Sequence, residues 1–274
     1  MTRSANNVKR ISKKEIYAKY GIEYKAGKIL VPVFGWRRPF LVNGNEKIGK
    51  GAWHYSQLPT GRIYNIDIDG VEYSVKGTCP CNCQGCYATK GNYNFKSVIR
   101  SLALKTIVAR QYPEFLEKAI MAQIEADNIK LCRIHAAGDF FSIEYALMWQ
   151  RIAIAFPNTV FWTYTKNRDC ENIFDGLANA NIVKSIIHGF GFNFGHCDYI
   201  LKVYHALVSM GKSVYICKCG IDKNQHCTKC HGCATHDYVL FIEHSTEYVA
   251  EKDPCFEELK ALIESQAAAD EMAA

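Results

Sequence analysis

The chain has 274 residues, 49% of them hydrophobic, with thirteen cysteines and a formal charge of +6. That length and apolar share can bury a substantial core, which excludes a disordered chain. No run approaches the roughly 18 apolar residues of a membrane span, and the start, MTRSANNVKRISKKE, has no apolar signal segment, so a cytoplasmic protein without membrane partners is expected.

In a reducing compartment, tightly spaced cysteines point to metal rather than to disulfides. The charge is uneven. Residues 1–50 hold twelve Lys/Arg and three Asp/Glu, a local +9, so the remainder sums to −3. Residues 1–60 therefore read as a basic N-terminal extension, either a solvated surface or an arm for phosphates. Tyr17, Tyr20, Phe34, Trp36 and Phe40 lie in it; basic and aromatic residues together can grip single-stranded nucleic acid, although such aromatics also fill cores.

After the extension, GRIYNIDIDGVEYSVKG reads as two alternating strands joined at Asp69-Gly70, a pair suited to a two-residue hairpin. The second strand runs into Cys79. Amphipathic helices follow over 98–110 and 114–126, then strand 129–135, helix 143–156 and strand 159–165. A helix near 171–180, strand 182–189, helix 198–210 and strand 213–217 come next. A cysteine-rich loop, 217–236, precedes strand 238–243 and a last helix near 256–265, and the Ala-rich tail, 266–274, is expected to fray. Counting from the strand before Cys79 gives six strands, apolar on both faces and mostly separated by helices. This argues for a parallel sheet under helices, open or curled into a barrel, over 61–265. Such folds bind ligands beyond the carboxyl ends of their strands, and there the chain places Cys79–Cys86, the HAAGDFF turn and Thr165-Lys166-Asn167.

TCPCNCQGCY packs four cysteines into eight positions. Cys79, Cys83 and Cys86 form C-x3-C-x2-C, which can hold three irons of a [4Fe–4S] cluster and leave the fourth open. The alternative is a zinc knot that also uses Cys81, although zinc sites usually draw their pairs from two loops. Asp139 has a plain structural reading as a helix-entry cap beside Ser142. His135 and His188 end strands, where a single His is usually a satisfied rim residue.

The later group, CKCGIDKNQHCTKCHGC, offers Cys217, Cys219, Cys227, Cys230 and Cys233. Four thiolates from Cys219, Cys227, Cys230 and Cys233 suit zinc or an auxiliary iron–sulfur cluster. Cys219 is preferred to Cys217, which ends an apolar strand, and His226, His231 and His236 are possible substitutes. Cys132, Cys170, Cys197 and Cys255 stand apart as ordinary thiols.

C-x3-C-x2-C after the first strand of a β/α run resembles the radical S-adenosylmethionine (SAM) superfamily. The second strand there ends in a Gly-Gly-Glu-type turn, and here it ends RIHAAGDFFS. The resemblance implies a partial (β/α)6 TIM-like barrel, with the cysteine-rich loop between strands 5 and 6. It also implies a [4Fe–4S] cluster on Cys79, Cys83 and Cys86, with Gly138 and Asp139 receiving the SAM amino group and Tyr87 flanking its adenine. An electron donor and a substrate of unknown identity complete the expected partners. Two features depart from that pattern: Gly85 stands where an aromatic often precedes the third cysteine, and the turn has one glycine and a shorter acid. CYATKGNY, AAGDFFSIEY, FWTYTKN and CTKCHGC, in that order, are closer to the phage "gene product 88" family and related mobile-element proteins, over roughly residues 55–245. The expected function is an iron–sulfur enzyme that starts radical chemistry from SAM; its rival is a metal-stabilised nucleic-acid-binding protein.

Overall fold

The structure is a computed structural model describing residues 11–44, 48–81, 86–185, 194–218, 221–222, 225–230, 232–242 and 250–273, with the side chains of the last helix described to Gln266. The chain begins with α1 (Lys13–Lys19), β1 (Tyr24–Lys25), β2 (Lys28–Val31), β3 (Gly35–Arg37), β4 (Val42–Asn43) and β5 (Ala52–His54). β6 (Ile63–Ile68), β7 (Val71–Lys76), α2 (Lys96–Gln111), α3 (Pro113–Asp127), β8 (Leu131–Arg133), α4 (Ile143–Ala155) and β9 (Val160–Thr165) follow. The last third holds β10 (Ala180–Lys184), β11 (Phe194–Gly195), α5 (Cys197–Ser209), β12 (Val214–Ile216), α6 (Gly232–Thr235), β13 (Tyr238–Ile242) and α7 (Phe256–Ala273).

Among the described residues these strands make four separate sheets of two to five strands and no closed barrel, which corrects the expected partial (β/α)6 barrel. The main sheet runs β10-β9-β8-β5-β4, parallel except for β4 at one edge. A second sheet, β11-β13-β12, is also parallel. Between them the Lys184 amide donates to the Asp237 carbonyl at 2.7 Å.

The strand before Cys79 explains much of the difference. It is β7, paired antiparallel with β6 in register from Ile68↔Val71 to Ile63↔Lys76, so it belongs to a hairpin and not to the parallel sheet. Asp69 (φ 56°) and Gly70 (φ 84°) make its turn, as their tolerance of positive φ foretold. The parallel partner of β8 is instead the short β5, in register Trp53↔Cys132. The helix expected near 171–180 is also absent: a single 3-10 turn, Arg168–Cys170, is followed by irregular turns into β10.

One apolar core joins the helices to the main sheet. Trp149, Phe161, Leu116 and Ile120 are buried in it, and so are Tyr17, Ile29, Phe34 and Phe40 from the basic first sixty residues. Each such side chain contributes about 1.5–3 kcal/mol on burial. Tyr17 stacks on Tyr24 with ring centroids 4.4 Å apart, and Lys19 pairs with Glu125 of α3. A smaller core, with Ile200, Ile216, Leu240 and Leu259, binds α5 and α7 to the second sheet. Cys132, Cys170 and Cys197 are buried thiols, as expected of them. None of the described helices is long and apolar enough to cross a membrane.

Candidate functional site

β8 and β9 run parallel, so their carboxyl ends open on the same side, and the chain leaves each through a polar turn. From β8 the backbone continues alongside residues 55–57: Tyr55 donates its amide to the Arg133 carbonyl at 3.0 Å, and Gln57 donates to Ala137 at 2.8 Å. The turn then reverses at Gly138, whose φ of +88° suits a residue without Cβ. A Cβ there would also lie 2.7 Å from the Thr78 hydroxyl and 3.0 Å from Gln57 Cβ, so close packing independently demands glycine.

Thr78 directly precedes Cys79 and holds the cysteine loop to this turn. Its hydroxyl donates to the Leu58 carbonyl at 3.0 Å and accepts from the Asp139 amide at 3.0 Å. The Asp139 carboxylate, 4% exposed, reaches across to the next strand. Oδ1 accepts from the Phe140 amide and the Thr165 hydroxyl, both at 2.7 Å, and Oδ2 accepts from the Lys166 amide at 2.8 Å. Asn167 Nδ2 completes the lacing with a 3.0 Å bond to the Phe140 carbonyl. The three segments picked out in the sequence thus meet: the cysteine loop, the GDFF turn and the end of the TYTKN strand.

Within the meeting place the side chains have structural roles. Asp139 does not cap α4; Ser142 is the N-cap and accepts from the Tyr145 amide at 3.2 Å. The Asp139 carboxylate is buried, and all three donors just named come from the protein. Burial pushes its pKa up to about 6, against the lowering effect of those bonds. Tyr87 is half-exposed, with its hydroxyl on the Ala136 carbonyl and its ring edge-on to Tyr93 at 5.9 Å.

In the loop itself, Cys79 and Cys86 are half-buried while Cys81 is exposed. Cys83 lies outside the described residues. Gln57 is fully buried and its Oε1 has no hydrogen-bond partner among the described residues, while its Nε2 faces the Tyr55 hydroxyl at 3.4 Å.

His135 turns out to be interior support. It lies 3.1 Å from the Tyr145 hydroxyl through Nε2 and 3.3 Å from the Thr163 hydroxyl through Nδ1. Burial, with Arg133 nearby, pushes its pKa down to about 3, so it is a neutral ring at physiological pH. His188 lies outside the described residues.

The later cysteines converge elsewhere. Cys217, Cys227, Cys230 and Cys233 line one cavity of about 20 Å³, floored by Leu131 and Trp162 of the main sheet. Cys217 therefore faces the group, although its place after an apolar strand suggested an inward thiol; Cys219 and His231 lie outside the described residues. Sequence reasoning missed the phenols around this cavity. The Tyr164 hydroxyl is 2.7 Å from Cys233 Sγ, and the Tyr215 hydroxyl is 3.3 Å from Cys230 Sγ. Alternation in TVFWTYT and SVYIC could have marked both tyrosines only if the strands' facing had been known. Burial pushes the Cys233 thiol up to about 12, with Cys227 and Cys230 adding to the rise and Tyr164 and Arg133 opposing it. Among the described residues, no three His, Cys, Asp or Glu side chains form a ready-made metal set at either place.

No curated protein and no solved structure matches the chain. No radical SAM family model matches it either. The family model described as Gene product 88 matches residues 39–188. The match takes in β4 to β10, the first cysteine loop and the laced turns, but stops before the later cysteines, short of the limit near 245 that the motif order suggested. Since it covers more than half of the 274 residues, the chain belongs to the Gene product 88 family.

Proposed function

We propose that this protein is an iron–sulfur enzyme that binds S-adenosylmethionine and starts radical chemistry on a further substrate. The observation that carries this reading is the continuous hydrogen-bonded lacing from Leu58 through Thr78 and Asp139 to Thr165 and Lys166. It ties Thr78, at the head of a cysteine stretch of C-x3-C-x2-C spacing, to the turn at the carboxyl ends of parallel strands, where open α/β sheets bind their ligands.

The C-x3-C-x2-C spacing supports a cluster with one open iron. Cys79, Cys83 and Cys86, leaving exposed Cys81 aside, would hold a [4Fe–4S] cluster that, when bound and reduced, would supply the electron for cleaving a sulfonium carbon–sulfur bond of SAM. The chain's own contribution is positional. Thr78 and Asp139 hold the first cysteine against the turn, Gly138 keeps the turn's backbone close, and the Tyr87 hydroxyl ties the residue after Cys86 to the Ala136 carbonyl. Asp139 acts as a brace in this reading.

The nucleic-acid reading loses three of its five aromatics, because Tyr17, Phe34 and Phe40 are spent in the core while Tyr20 and Trp36 stay partly exposed. The experiment is anaerobic reconstitution with iron and sulfide, reduction, addition of SAM and chromatography for 5′-deoxyadenosine. Iron-dependent product, abolished by Cys83→Ala, is expected; reconstituted, reduced protein that leaves SAM intact would refute the proposal.

A further inference from the structure

The later cysteines stand apart from the laced rim and outside the family match. They sit where the two parallel sheets approach each other. Cys217 follows β12 of the second sheet, and Cys233 lies on α6, whose backbone is tied to the main sheet: Asn181 Nδ2 of β10 donates to the Cys233 carbonyl at 2.9 Å and to the His236 carbonyl at 2.8 Å. Gly232 lets α6 press on Tyr215 of β12, for a Cβ there would come within 2.3 Å of the ring. Sulfurs carried by both sheets thus face one space.

Its size and its lining indicate what that space takes. About 20 Å³ holds roughly one water-sized body, enough for a single ion. Four thiolates around a divalent cation carry a net charge of −2, and the cavity is furnished to offset it. The hydroxyls of Tyr164 and Tyr215 can donate to two of the sulfurs, and the Arg133 guanidinium lies 5.0 Å over the Tyr164 ring. Phenol donors supplied by β9 and β12 are the kind of outer support that thiolate-bound metals use.

We propose that Cys217, Cys227, Cys230 and Cys233 bind a single thiophilic divalent cation of the zinc class, which clasps the second parallel sheet to the first. Binding draws the loop's sulfurs inward and releases their thiol protons to solvent as four metal–sulfur bonds form. The site does not depend on the reading of the first cysteine loop.

The test uses the full chain, stripped with a chelator and titrated with cobalt(II) as a zinc surrogate. One equivalent should give the ligand-field bands of a tetrahedral thiolate site, and zinc should displace it. Cys217→Ser and Cys230→Ser should each weaken binding by at least about 10- to 100-fold, while Cys219→Ser and a Cys79/Cys83/Cys86 triple alanine variant retain it. Tyr164→Phe, which keeps the ring, should bind one equivalent yet release it to chelator about tenfold faster; this readout holds even if a cysteine variant fails to fold. The proposal is overturned if the wild type takes up no stoichiometric cobalt or zinc, or if Cys219 is required and Cys217 is not. It is equally overturned if the site assembles iron and sulfide in place of the single ion.

Discussion

The Asp139 carboxylate accepts a 2.7 Å hydrogen bond from the Thr165 hydroxyl, joining the turn after β8 to the end of β9. Asp139→Ala would leave that hydroxyl and the Phe140 and Lys166 amides without their acceptor in a buried place. The expected loss is about 3 kcal/mol, and Thr165→Val, which removes one donor, should cost about half as much. Urea unfolding of the two variants checks this, and an Asp139→Ala midpoint equal to the wild type's would contradict the bracing role.

Gly138 combines a left-handed backbone with a neighbour that leaves no space for a side chain. Gly138→Ala should therefore destabilise the fold by about 2 kcal/mol or more, and reconstituted iron should fall with it, since Thr78 must shift and Cys79 with it. Iron and stability both at wild-type levels would show that the turn and the loop are not coupled.

His135 gives stability a defined pH dependence. Its folded pKa of about 3 lies below the ordinary 6.5, so its contribution is present above pH 6.5 and is lost as pH falls toward 3. The full effect is on the order of 5 kcal/mol. Asp139, raised to about 6, runs the other way: its contribution is complete below pH 3.8 and disappears as pH rises through 6. Comparing wild type with His135→Gln cancels the Asp139 part. The stability difference between the two should shrink steadily from pH 7 to pH 4; a constant difference would mean that His135 does not titrate as described.

Cys81 separates the two ways of reading the first loop. With its side chain exposed, Cys81→Ala should retain reconstituted iron and SAM cleavage, whereas Cys79→Ala and Cys86→Ala should lose both. Equal loss in all three, measured as iron and sulfide per chain, would favour a closed four-thiol site.

Much of the local structure was legible, because apolar runs and helical periodicity survive in any tertiary setting. Helices expected at 98–110, 114–126, 143–156 and 198–210 appear as α2, α3, α4 and α5 within a few residues, and strands β8, β9, β12 and β13 lie where the runs placed them, whereas β10, expected over 182–189, spans Ala180–Lys184, with 186–189 outside the described residues. The hairpin turn at Asp69-Gly70 was readable from turn chemistry alone. Sheet membership was not. VEYSVK alternates equally well as a hairpin strand or as the first strand of a barrel, and only its pairing with β6 decides. β5 escaped notice because three residues, Ala52–His54, carry no periodicity, and its neighbours β4 and β8 define it.

At the site, the sequence marked which segments matter but not how they face. Strand-end placement predicted the meeting of Cys79, Asp139 and Thr165-Lys166, yet an aspartate's outward or inward direction depends on donors that only the fold supplies. Cys217 illustrates the same gap: an apolar strand end pointed its thiol toward the core, and it does pack against the buried Val183, Tyr215 and Val239, but it also lines the cavity shared with Cys227, Cys230 and Cys233.

The account depends most on an iron at the first loop that is open to SAM. Electron paramagnetic resonance of the anaerobically reconstituted, reduced protein, recorded with and without SAM, tests it directly. A [4Fe–4S] signal that changes in g-values on adding SAM, and that the Cys217→Ser variant still shows, is the predicted result. A reduced cluster whose spectrum ignores SAM, or the absence of any cluster signal in protein that has retained its fold, would contradict it.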